Sequence, residues 1–351
     1  MFRKLLFALV ATVLGLVALE MLAYGVESIW PMKPLRPLPA PGQAECMPEC
    51  MPDVAGLPQQ PTGLPRGIPM APHGRRAWAL APNTEMVETN VRVRVNDLAL
   101  RGPALQKKTA DEVRILTLGD SSVFGFGVEE NAVFGAVAAT KLSDAWGKTV
   151  VSVNGGTPGY TSVQALHTLQ DVGRVVEPDF VVIAALWSDL FQTETPIERS
   201  GGQKHPSAFY RLSVRALAPY LPAATVGWIQ GDVGAEAPGR AARVGLERYE
   251  KTLGELIHAS KSMGAVPVIL LLPAPVDLDP SPLPALIESY RSVLRSSGED
   301  RGLVVVDAPK VFRRKSAGNQ DFYDQVHPST SGHARIGEAL AAALKGIEIT
   351  Q

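Results

Sequence analysis

The sequence predicts an α/β fold, a three-layer α/β/α sandwich around a five-stranded parallel sheet, on three observations. Five short apolar runs recur, at 114–118, 150–153, 180–186, 266–272 and 303–306. Amphipathic stretches of helical length fall at 132–142, 162–172, 246–263, 283–296 and 329–344. That alternation implies parallel strands with helices on both faces. The first run also stops at Gly119-Asp120-Ser121, which puts a hydroxyl on the carboxyl edge of the sheet, where α/β folds place their ligands.

The first element is residues 1–30, a membrane anchor or signal segment. Arg3 and Lys4 precede an uncharged apolar run over 5–19; Glu20 interrupts it, and apolar residues resume through Tyr24. Ala23-Tyr24-Gly25 offers a small-residue cleavage site, but the length with Glu20 included approaches a span, and an uncleaved anchor is the favoured reading. Charge asymmetry keeps Arg3 and Lys4 in the cytoplasm. The expected partner is therefore the inner membrane, with the rest of the chain on the periplasmic or extracellular side.

Residues 31–82 read as a proline-rich linker, because proline fixes φ and removes amide donors. Cys46 and Cys50 lie within it. Two thiols at this spacing fall short of a structural zinc site and read as a local clip or free thiols. No metal or organic cofactor is expected.

Residues 83–351 form the third segment, a compact domain. Val91–Val95 alternates with period two, as a strand does, and 96–103 makes a turn. Apolar content of 46% and charged content of 20% suffice for a substantial core. A net charge of -1 without a basic stripe excludes an electrostatic nucleic-acid binder. The segment 192–240, with Trp228, breaks the alternation and reads as a lid or cap.

Four groups of residues carry chemistry. Gly119-Asp120-Ser121-Ser122 follows the first strand. Asn154-Gly155-Gly156-Thr157-Pro158-Gly159-Tyr160 follows the second, and Leu186-Trp187-Ser188-Asp189 the third. Asp324-Gln325-Val326-His327-Pro328 precedes the last helix, which Ser329 caps. A serine hydroxyl needs a base to take its proton, and Asp-x-x-His supplies a base with its orienting group on one short loop. Gly125-x-Gly127 lacks the third glycine of a dinucleotide site.

The four groups resemble the blocks of the SGNH, or GDSL-type, hydrolase superfamily, from about Val113 to Leu344. Residues 96–102 are similar to a segment that precedes the catalytic domain in membrane-anchored bacterial members. The resemblance implies a flavodoxin-like strand order and a serine esterase acting on an acylated small molecule, lipid or glycan. It makes Ser121 the nucleophile, His327 the general base and Asp324 its orienting carboxylate. The oxyanion hole would comprise the amides of Ser121 and Gly159. The family's third block carries an asparagine as a further donor; here Ser188 stands in its place, with a shorter reach.

Asp120 is expected to brace the turn, Ser122 is the fallback nucleophile, and Asp321 is a less apt substitute for Asp324. Trp187 is expected to wall a pocket, His333 to be structural and Glu129-Glu130 to be solvated. Two other functions remain open. One is an O-acyltransferase acting on an envelope or secreted polysaccharide; the other is a non-catalytic glycan-binding protein.

Overall fold

The computed structural model describes residues 68, 70–88, 91–190, 192–193, 241–279, 281–313 and 317–347, with isolated positions at 15, 19, 21 and 22. The chain divides into two compact units. One combines Met1–Leu38 with Ile197–Ala241 and lies almost wholly outside the described residues. The other, Pro39–Pro196 with Ala242–Gln351, carries the fold.

Among the described residues of this unit, four short strands come first. β1 (Met70–His73) pairs antiparallel with β2 (Ala77–Leu80), and β3 (Thr84–Glu88) with β4 (Val91–Val95). The parallel sheet then contains β5 (Glu112–Gly119), β6 (Thr149–Gly156), β7 (Phe180–Ile183), β8 (Val266–Leu271) and β9 (Val304–Asp307). Its order is β9-β8-β7-β5-β6, every neighbouring pair parallel. This is the flavodoxin-like order, with its switch point at β5, where ligand crevices form.

Among the described residues of this unit the α-helices are α1 (Ser121–Phe124), α2 (Phe134–Trp146), α3 (Ser162–Val176), α4 (Trp187–Leu190), α5 (Leu246–Ser262), α6 (Ala285–Glu299), α7 (Ala308–Phe312) and α8 (Thr330–Leu344). Ile115, Leu116 and Leu118 of β5 are fully buried, as are all four residues of β7. Each such aliphatic side chain contributes about 1.5–3 kcal/mol relative to exposure. These central strands are near-continuous apolar runs because both faces of the sheet are covered.

Two boundaries differ from expectation. The ladder of β7 ends at Ile183 rather than 186; Ala184 N still donates to Leu118 O at 2.9 Å, but the neighbouring strand β5 itself ends one residue later, at Gly119. The linker expected through residue 82 is shorter, because 70–80 form the β1–β2 hairpin. Pro72 is tolerated there because a two-stranded edge demands few amide donors. The hairpin is tied to the turn after β6: Trp78 Nε1 donates to Pro158 O at 3.3 Å and the Tyr160 hydroxyl donates to Trp78 O at 2.5 Å.

Among the described residues no helix is long and apolar enough to cross a membrane. The apolar run over 5–24 falls outside them except at Gly15, Leu19, Met21 and Leu22. Cys46 and Cys50 lie outside them as well, and so does the expected lid apart from Gln192–Thr193.

Candidate active site

β5 ends in Gly119, and the chain turns at once into α1. Asp120 caps that helix, its Oδ1 accepting from Ser122 N at 2.9 Å. Its other oxygen accepts from Ser188 N at 3.1 Å, so one buried carboxylate joins the first sequence block to the third. Burial raises the Asp120 pKa, and the amides of Ser122 and Ser188 oppose the rise. Asp120 therefore braces the turn, as expected.

The second block lies against α1. A Cβ at Gly156 would sit 2.3 Å from Phe124 N, so no side chain fits between β6 and that helix. Asn154 Nδ2 donates to Val123 O and Phe124 O at 3.2 and 3.1 Å. Thr157 N donates to Gly119 O at 3.1 Å, which holds the 157–160 turn beside the end of β5. Gly159 is left-handed there, with φ at 75°, a conformation that favours glycine.

The loop before α8 brings the last block to the same edge. Ser121 Oγ lies 2.8 Å from His327 Nε2, and His327 Nδ1 lies 2.6 Å from Asp324 Oδ2. Asp324 Oδ1 accepts from the amides of Val326 and His327, both at 2.9 Å. With Nδ1 protonated toward Asp324, Nε2 is the acceptor for the serine proton. Burial alone would raise the Asp324 pKa; the adjacent His327 and three hydrogen bonds outweigh it and hold the carboxyl below its ordinary value. The arrangement can take a proton from a hydroxyl and return it.

The neighbouring residues separate in role. Ser122 is buried and donates to Val326 O at 2.8 Å, so it ties α1 to the histidine loop and does not face the imidazole. Asp321 pairs with Arg335 at 3.1 Å and accepts from Gly318 N at 3.0 Å, away from His327. Trp187 is not a pocket wall: it is 2% exposed within the core, with Arg291 Cζ 5.3 Å from its ring centroid. Its indole is flat and large enough to roof a buried guanidinium. Glu130 is not simply solvated, because it pairs with Arg94 at 2.9 Å.

Ser188 is 1% exposed, and its Oγ has no hydrogen-bond partner among the described residues. Asp189 docks α3 onto the third block. Its Oδ1 accepts from Ser162 Oγ at 2.5 Å, and both its oxygens accept from Ser162 N at 2.9 Å. Burial pushes its pKa up to about 7 against those hydrogen bonds.

His333 is structural. It stacks on Phe134 and its Nδ1 accepts from Phe134 N at 3.2 Å. Burial, then the charges of Arg101 and His327, push its pKa from 6.5 down to about 3. Below 6.5 the unfolded chain therefore binds a proton that the folded protein refuses, and stability is lost as pH falls toward 3. His333→Gln keeps an acceptor for Phe134 N without this penalty. Its Tm should gain on the parent protein's as pH is lowered from about 7 to about 4.5. A Tm difference independent of pH would count against this account.

Sequence reasoning missed two groups near the site. Arg101, read as part of a turn, buries its guanidinium under the loop after α1. Asp277 and Arg291 form a buried pair behind Trp187. The signal for Arg101 was an arginine directly after the apolar Leu98-Ala99-Leu100, and for Arg291 its place on the helical stripe of Ile287, Tyr290 and Leu294.

The model of the GDSL-like lipase/acylhydrolase family matches residues 117–335, from within β5 to within α8. Among solved structures the chain is similar to a putative lipolytic protein of the G-D-S-L family from Desulfitobacterium hafniense, at 16% identity and a TM-score of 0.43. That match covers 66% of this chain and 99% of the other. It is also similar to a lipase/acylhydrolase from Enterococcus faecalis, at 18% identity and a TM-score of 0.45, covering 68% of this chain and 99% of the other. No curated protein matches the chain. The matched segment contains all four blocks, including the serine, histidine and aspartate that meet at the sheet edge: the chain belongs to the GDSL-like lipase/acylhydrolase family and is an ester-bond hydrolase.

Proposed function

We propose that this chain is a serine esterase that hydrolyses an acylated substrate outside the cytoplasm. The observation that carries the reading is the unbroken chain of hydrogen bonds from Ser121 through His327 to Asp324, at 2.8 and 2.6 Å.

Ser121 Oγ attacks the acyl carbonyl as His327 Nε2 takes its proton. Asp324 stabilises the imidazolium that forms. Collapse of the tetrahedral intermediate breaks the ester bond, and the imidazolium gives its proton to the departing alcohol. Water then attacks the acyl-serine, with His327 accepting its proton and returning it to Ser121 Oγ. The amides of Ser121 and Gly159 and the hydroxyl of Ser188 donate to the oxyanion. Ser188 enters this set through its place in the third block, where the family carries its asparagine donor, and not through exposure, since its Oγ is buried. A donor of this kind is worth about 2.7–4 kcal/mol in the transition state. The location rests on the basic pair Arg3 and Lys4 ahead of the apolar run over 5–19.

A fluorophosphonate probe tests the reading, because it phosphonylates only an activated serine held beside an oxyanion hole. Native protein should be labelled at Ser121, and Ser188→Ala should slow labelling by about 10²-fold. Folded protein left unlabelled, or labelled at another serine, would refute the nucleophile. Equal rates in the Ser188 variant would remove that residue from the oxyanion hole.

A further inference from the structure

Residues 96–102 precede the family-matched segment, yet they reach under the catalytic loops. Asn96 Oδ1 accepts from Leu98 N and Leu100 N, both at 3.0 Å, which fixes the turn that projects Arg101 inward. Arg101 is 3% exposed. Its Nη1 donates to Phe124 O and Gly125 O, each at 2.6 Å, and its Nη2 donates to Val128 O at 2.5 Å. Its Cζ lies 4.7 Å from the centroid of the Phe124 ring. Its backbone forms isolated bridges to Val95 on one side and Asn154 on the other, so the guanidinium is carried by the sheet itself.

The loop gripped in this way is the one that touches the histidine. Phe126 meets His327 edge-on, with ring centroids 5.0 Å apart. Gly127 O accepts from the Tyr323 hydroxyl at 2.9 Å, one residue before Asp324. Residues 124–128 therefore lie between Arg101 on one side and the 323–327 loop on the other. Ser121 stands three residues upstream of the first gripped carbonyl.

We propose that Arg101 is a positioning residue: its fork onto the Phe124, Gly125 and Val128 carbonyls sets the separation of Ser121 and His327. The inference rests on the reading of Ser121 as nucleophile and His327 as base. A planar fork can serve three carbonyls at once, whereas a lysine ammonium presents one point charge. Removing the fork frees the loop to shift, and a displacement of about 1 Å at a reacting pair costs about 10²-fold in rate.

The test compares Arg101→Ala, Arg101→Lys and Val93→Ala in the full chain. Val93 packs in the same small core as Phe124 and Phe126 without contributing to the fork. The measurements are kcat and KM for p-nitrophenyl acetate, the rate of fluorophosphonate labelling, and Tm. Both Arg101 variants should lose about ten- to a hundredfold in kcat and in labelling rate, with KM nearly unchanged. Millimolar guanidinium should restore part of the Arg101→Ala loss. Val93→Ala should lower Tm while keeping kcat near that of the parent.

If Arg101→Ala does not fold, Arg101→Lys against Val93→Ala gives the same answer. Arg101 variants that turn over normally, or losses that track Tm alike in every variant, would overturn the inference. A parent protein that the probe does not label would overturn the nucleophile assignment, and this inference with it.

Discussion

Ser121→Ala should lower kcat for p-nitrophenyl acetate by about 10⁵–10⁶-fold while leaving the fold intact. The hydroxyl is the only group removed, and its recorded partner is His327 Nε2 at 2.8 Å. Helix α1 does not depend on it, because Asp120 supplies the cap and Ser122 carries the bond to Val326 O. The melting temperature should therefore stay close to the parent's. Residual turnover comes from the oxyanion donors and binding alone. Ser122→Ala is the informative companion: it loosens the tie between α1 and the histidine loop but keeps the nucleophile, so its loss should be far smaller. Steady-state kinetics on both variants decide the matter. Substantial turnover by Ser121→Ala, or a larger loss in Ser122→Ala, would end the assignment.

Asp277→Ala should cost about 3–5 kcal/mol of folding stability, the largest single loss expected away from the catalytic chemistry. Arg291 Nη1 and Nη2 lie 2.7 and 2.8 Å from the two oxygens of Asp277, and Nη2 also donates to Leu272 O at 2.7 Å. Both side chains are essentially unexposed. Removing the carboxylate leaves the buried Arg291 guanidinium without its counter-charge. Asp277 also accepts from Ala274 N at 2.8 Å, so the turn after β8 loses its brace. Because Arg291 lies against Trp187, the disturbance reaches Ser188 next to it. The double variant Asp277→Ala/Arg291→Met should recover part of the loss, since no buried charge is then left unpaired. Urea unfolding of the three proteins measures both effects. A single variant within about 1 kcal/mol of the parent would show that the pair is not desolvated as described.

Most of the sheet was legible because its central strands are buried on both faces and read as apolar runs. The runs at 114–118, 150–153, 266–272 and 303–306 all lie on observed strands to within a few residues. Helices α3, α5 and α8 were legible because one face of each is apolar at helical spacing, and Ser329 also marks the start of α8. The β1–β2 hairpin was not legible. Its four-residue strands contain a proline, and the hairpin is held by Trp78 and Tyr160, eighty-two residues apart in sequence. Trp187 was misread because an aromatic residue beside a polar motif suits a pocket wall as well as a core. Arg291, which settles the question, lies more than a hundred residues further on.

The sequence by itself determined the fold class and the strand–helix order, because local periodicity can be read along a chain. Its four blocks, through their resemblance to the family, singled out Ser121, His327 and Asp324. Only the tertiary structure decided that Ser121 and His327 stand in hydrogen-bond contact, that Ser122 faces the opposite loop, and that Arg101 grips the carbonyls after α1. Hydrogen bonds and buried charges are satisfied by geometry at distances of about 3 Å, and no pattern along the sequence records which distant groups will meet there.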